Sequence, residues 1–70
     1  MNSVEFAEII RAKRKKQGMT QAELAEKSGF TRVAINYWEY GKKSISLENA
    51  DRLLKALGMK IIIKDEKRLI

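Results

Sequence analysis

Gln21-Ala22-Glu23-Leu24-Ala25-Glu26-Lys27-Ser28-Gly29-Phe30-Thr31-Arg32-Val33-Ala34-Ile35-Asn36-Tyr37-Trp38 is the stretch on which the fold turns. It reads as two short helices crossing steeply over a tight corner. Thr20 opens the first, with Glu23 three residues on, the reciprocal arrangement of a capping box. Ala25 is small enough for the two helices to approach closely. Gly29, four positions later, tolerates the positive φ that such a corner needs. Thr31 is the N-cap expected of the second helix, which should run to Tyr40 before Gly41. Ala34, Ile35 and Trp38 are expected to face the core, with Leu24 and Phe30 packed beneath the turn. Each feature alone is weak, but all of them in one register are specific.

Working outward, the spacing predicts a helix on either side. The upstream one should start after Ser3 and end near Gln17, with Phe6, Ile9 and Ile10 as an apolar stripe and Ala7 and Ala12 nearby. Glu5 and Glu8 suit its positive end and Lys13 to Lys16 its negative end. The downstream helix follows Ser46, carries Leu47, Ala50, Leu53, Leu54 and Leu57 on its inner face, and stops at Gly58. Met59-Lys60-Ile61-Ile62-Ile63-Lys64 is β-branched at its centre and reads as a strand. A lone strand must pair with something outside its own chain or face water. This predicts a two-stranded ribbon across a dimer axis, the alternative being a tail packed on the last helix. The expected organisation is an all-α bundle of four helices over 1–58 and a C-terminal strand or tail over 59–70, a possible dimerisation element.

Composition narrows the function. The 70 residues contain neither Cys nor His, which removes the thiolate nucleophile, the usual general base and the commonest metal ligand. No catalytic residue, metal or cofactor is assigned, and an enzyme is not expected. A core this small often gains stability by oligomerising. No apolar run reaches the length of about 18 residues that suggests a membrane span. Met1-Asn2-Ser3-Val4-Glu5 lacks the layout of a secretion signal, so a cytoplasmic protein is expected. Fifteen Lys and Arg against nine Asp and Glu leave a net charge of +6, the footprint of a polyanion binder. Five of the six residues from Arg11 to Lys16 are basic, and Lys42-Lys43 form a second cluster.

Beyond these patterns, the chain resembles the Cro/C1-type helix-turn-helix family (the XRE family), which includes phage repressors. The matching residues are Arg14, Gly18-Met19-Thr20-Gln21-Ala22-Glu23-Leu24-Ala25-Glu26-Lys27, Gly29, Thr31, Ile35, Glu39, Gly41, Leu47-Glu48-Asn49 and Leu57-Gly58. The resemblance implies a compact phage-repressor-like bundle of four or five helices whose third helix enters the major groove. It also implies an ion pair between Arg14 and Glu39 that joins the first helix to the end of the third. Two departures stand out: Phe30 is bulkier than the usual aliphatic residue, and Met59 to Lys64 replaces a fifth helix. A C-terminal strand there is similar to the antitoxin branch of the family, in which strands of two subunits pair.

On that reading the outward stripe of the third helix is Arg32, Val33, Asn36, Tyr37 and Tyr40, spaced i, i+1, i+4, i+5 and i+8. Arg32, near the helix N-terminus, is the expected base reader, suited to guanine O6 and N7. Val33 would meet a thymine methyl, and Asn36 or Tyr37 would add a hydrogen bond. The alternatives are a salt bridge for Arg32, partial burial for Val33 and a phosphate contact for Tyr37. Gln21, at a helix N-terminus, is the expected phosphate ligand, and the resemblance points to it too. Thr31, Tyr40, Lys42 and Lys43 are further phosphate candidates, while Lys13, Lys15 and Lys16 read as a solvated face. The expected function is sequence-specific binding of double-stranded DNA by a homodimeric transcriptional regulator, a repressor, on a pseudo-palindromic operator. The alternatives are an antitoxin that binds a toxin protein and autoregulates, and a control protein of a restriction-modification system.

Overall fold

A computed structural model describes residues 2–63. Four helices follow one another: α1 Ser3–Lys16, α2 Gln21–Ser28, α3 Arg32–Glu39 and α4 Leu47–Ala56. Each starts at a side chain that takes over an orphan backbone N–H. Asn2 accepts from Glu5 N at 2.9 Å, Thr31 from Ala34 N at 3.1 Å and Ser46 from Asn49 N at 3.1 Å. Thr20 and Glu23 form the full capping box, at 3.0 and 2.9 Å. Glu23 is held below its ordinary carboxyl range chiefly by the backbone N–H of Thr20, its side chain adding to this. The ends lie close to the expected ones, except that Asn2 caps α1 one residue early and α3 closes at Glu39 with Tyr40 as its C-cap.

The core gathers Phe6 and Ile10 of α1, Leu24 and Ala25 of α2, Ile35 of α3, and Ala50, Leu53 and Leu54 of α4, with Leu57 just beyond it. Helix α2 packs on both α3 and α4, and α1 packs on α3. At the corner Gly29 has φ +79°, and its N–H and that of Phe30 both return to Ala25 O, at 2.9 and 3.0 Å. A Cβ at Gly29 would also stand 3.1 Å from the Arg52 guanidinium, so backbone and space both ask for glycine.

Two expectations need correction, the inward placement of three apolar side chains and the C-terminal strand. Leu47 is 64% exposed and Ile9 36%, so neither joins the core; Ala12 is exposed as well. Periodicity puts these side chains on apolar faces, but the bundle ends before it covers them. The strand from Met59 to Lys64 is not formed over 59–63, since a single chain offers no edge to pair with. The Met59 N–H instead closes the end of α4 on Leu54 O at 2.8 Å, and Met59 and Ile61 are partly buried against the core. Lys64 and the rest of the expected tail lie outside the described residues.

Candidate nucleic-acid interface

The interface begins with what holds α3 in place. Glu39, at its end, is fully buried, and Arg14 of α1 meets it with two hydrogen bonds, Nε to Oε2 at 2.5 Å and an Nη to Oε1 at 2.9 Å. The bond to Glu39 raises the Arg14 pKa above its ordinary value, against the lowering effect of burial. The remaining Nη of Arg14 donates to Met19 O at 2.6 Å, and Arg11 donates to Glu39 O. Every buried side-chain polar atom among the described residues has a partner. The fork of one arginine therefore ties α1, the loop before α2 and the end of α3 together.

The other end of α3 is held at the corner. Arg52 of α4 donates to Ser28 O and Gly29 O, both at 3.0 Å, and lies 4.1 Å over the Phe30 ring. Phe30 in turn meets Trp38 edge-on, with ring centroids 4.8 Å apart. The bulky Phe30 is thus one layer of a stack running from α4 to α3. Trp38 is half-buried in this stack. Nothing in the local sequence pointed to Arg52, which comes from over twenty residues away in the chain.

With both ends fixed, the outward face is defined. Arg32 is exposed, Val33 and Tyr40 are 52% and 54% exposed, and Asn36 and Tyr37 are half-buried. Arg32 has no salt-bridge partner among the described residues. Lys43 stands 5.0 Å over the Tyr37 ring and Arg11 is 5.1 Å from the Tyr40 ring centroid. Cations from α1 and from the loop after α3 thereby flank the stripe. Lys42 is exposed beside them and Thr31 is exposed at the start of α3, its hydroxyl occupied as a cap. Gln21 is more engaged than expected. Its Nε2 donates to Glu39 Oε1 at 3.1 Å and its Oε1 accepts from Asn36 Nδ2 at 3.4 Å.

A short helix projecting one mixed polar and aromatic stripe from a rigid corner, flanked by cations, defines a helix-turn-helix nucleic-acid-binding domain. The chain belongs to the Cro/C1-type helix-turn-helix family, a family of DNA-binding transcriptional regulators, whose helix-turn-helix model matches residues 10–63. An uncharacterized HTH-type transcriptional regulator of Methanothermobacter thermautotrophicus strain Delta H is 47% identical over 62 residues, covering 83% of this chain and 90% of that protein. Among solved structures, the restriction-modification controller protein C.AhdI from Aeromonas hydrophila superposes with a TM-score of 0.79 at 33% identity, over 83% of this chain and 84% of that one. A chain of the HipA–HipB–O2–O3 complex gives 0.81 at 25% identity, over 96% of this chain and 94% of that one. No helix among the described residues is long and apolar enough to cross a membrane.

Proposed function

We propose that this protein is a non-enzymatic transcriptional regulator that binds a pseudo-palindromic DNA operator as a homodimer, with 1–58 as the DNA-binding domain and 59–70 contributing to self-association. The observation that carries the reading is the exposed stripe on α3, held at both ends by the Arg14–Glu39 pair and the Arg52–Phe30–Trp38 stack. Arg32 reads a guanine, Val33 a thymine methyl, and Asn36 and Tyr37 add polar contacts. Gln21, Thr31, Tyr40, Lys42 and Lys43 meet phosphates. Two such domains would place their α3 helices in successive major grooves, about 34–36 Å apart. A dimer seated across a promoter would exclude the polymerase, and on that ground we read the protein as a repressor.

The dimer face lies at the end of the bundle left uncovered. Phe6, Ile9, Ile45, Leu47, Leu54 and Ile62 line a groove of about 750 Å³ between α1, α4 and the tail. Ile62 and Ile63 are 64% and 79% exposed beside it. Apolar surface of this kind calls for a second chain, and a second copy of this one satisfies a two-fold operator. A second reading, an antitoxin-like role with a protein partner, is favoured by the likeness to a chain from a complex that holds HipA together with HipB and O2–O3. A control role in restriction and modification draws the same kind of support from the C.AhdI likeness.

The test is selection of operators from a random duplex pool by wild type and by Arg32→Ala. Wild type is expected to select a two-fold-symmetric site, and the variant to lose about 1–3 kcal/mol of discrimination at one guanine per half-site. An unchanged base preference would remove Arg32 from the interface.

A further inference from the structure

We infer that Glu39, Gln21 and Asn36 form a directional relay that fixes which way the Asn36 amide faces and makes Asn36 a reader of adenine, an inference that rests on the DNA-binding role proposed above. The relay starts at a buried charge. Glu39 is 0% exposed, and its carboxylate, paired with the Arg14 guanidinium, presents acceptors. Two bonds from Arg14 pin it, so the starting point is rigid. Gln21 Nε2 donates to Glu39 Oε1 at 3.1 Å. That amide cannot turn over without setting its own oxygen against the carboxylate. The Gln21 oxygen is consequently fixed toward α3, where it accepts from Asn36 Nδ2 at 3.4 Å.

A side-chain amide elsewhere on a surface has two orientations that exchange donor and acceptor, and it adapts to whichever base lies opposite. Here the choice is removed two residues back along the relay. One Asn36 N–H is spent on Gln21, which leaves the carbonyl oxygen as acceptor and the second N–H as donor, in a fixed order. Adenine presents the complement of that pair, an N6 donor beside an N7 acceptor. Guanine offers two acceptors, and thymine an acceptor and a methyl, so each engages only the donor. Asn36 is half-buried, and orientation set before binding lowers the ordering cost at the moment of contact. Gln21 acts here as a positioning residue, whatever phosphate it also meets.

The experiment compares operators selected by wild type, Asn36→Ala and Gln21→Met, with a melting curve of each. Asn36→Ala marks the base pair that Asn36 reads. Gln21→Met keeps the side-chain length but loses both relay bonds, so the Asn36 amide is free to turn. Adenine preference at the marked pair should then fall by roughly fivefold or more, within the range one bidentate contact supplies, while the guanine preference assigned to Arg32 stays. If Gln21 served only to hold a phosphate, its replacement would weaken all sequences evenly and leave that ratio alone. If Gln21→Met does not fold, Gln21→Ala, which also loses both relay bonds, gives the same test: adenine preference at the marked pair should fall in the same way while the Arg32 guanine preference stays. Adenine preference that survives Gln21→Met in full overturns the relay, as does an Asn36→Ala variant that weakens every sequence alike. A wild-type chain that selects no operator overturns the DNA-binding reading and the relay with it.

Discussion

The two ends of this bundle solve opposite problems. At the corner, from Thr20 to Gly41, the inward side chains are packed or hydrogen-bonded, while Arg32, Val33 and Tyr40 face outward. Leu24 and Ile35 are fully buried, Arg52 closes the turn, Gln21 donates to Glu39, and Asn36 donates to Gln21. At the other end, Leu47, Ile62 and Ile63 are 64%, 64% and 79% exposed around a groove that none of the described residues fills. The corner is complete alone and turns a rigid, cation-flanked face to a polyanion. The groove end is unfinished, as expected of a small domain that completes itself with another chain. On the proposed reading, recognition and assembly fall on separate surfaces, so that one can be altered without the other.

That separation can be broken most severely from within. Glu39→Ala strands the buried Arg14 guanidinium, and a loss of about 3–5 kcal/mol is expected in urea denaturation. A loss below about 1 kcal/mol, the scale of an exposed ion pair, would mean that α3 is not anchored there. Leu47→Asp should do the reverse. It leaves the fold stable to within about 0.5 kcal/mol, as surface changes do, yet weakens dimerisation tenfold or more, about 1.4 kcal/mol, in sedimentation equilibrium. Lys42→Ala acts more gently on the corner face. It should lower the slope of log affinity against log salt by about 0.9 for each phosphate no longer neutralised, for all sequences alike.

The smallest effect lies in the capping box. Glu23 has a depressed pKa in the folded chain, so its contribution is present above the unfolded value and lost as pH falls through the folded one. The stability difference between wild type and Glu23→Gln should shrink on acidification below the ordinary Glu range of about 4.3. A difference independent of pH over that window would remove the charge from the cap. Neither DNA binding nor dimerisation should follow this titration.

What the sequence made legible was local. The hydroxyl caps at Thr20 and Thr31 each need only an amide three residues ahead, and both formed as expected; Ser46 caps α4 in the same way. Gly29 was legible because a corner there leaves few other choices. The Arg14–Glu39 pair followed from the family pattern rather than from spacing. What stayed hidden was everything that depends on how faces meet. Ile9 and Leu47 have core-like periodicity, yet a helical period marks a face without saying what covers it. Arg52 looks like a solvated residue of α4 until the corner is seen beneath it. The strand at Met59 was read from propensity, which records how residues fit beside a neighbouring strand, and a single chain supplies none.

The division between a reading face and an assembly face can be tested in one titration. Backbone amide shifts of the labelled protein, at a concentration where it is already self-associated, would be followed as its selected duplex is added. Shifts concentrated at Gln21 and from Thr31 to Lys43, with Ile9, Leu47 and Ile62 unmoved, are the predicted result. Shifts gathered around the groove while α3 stays unchanged would contradict it.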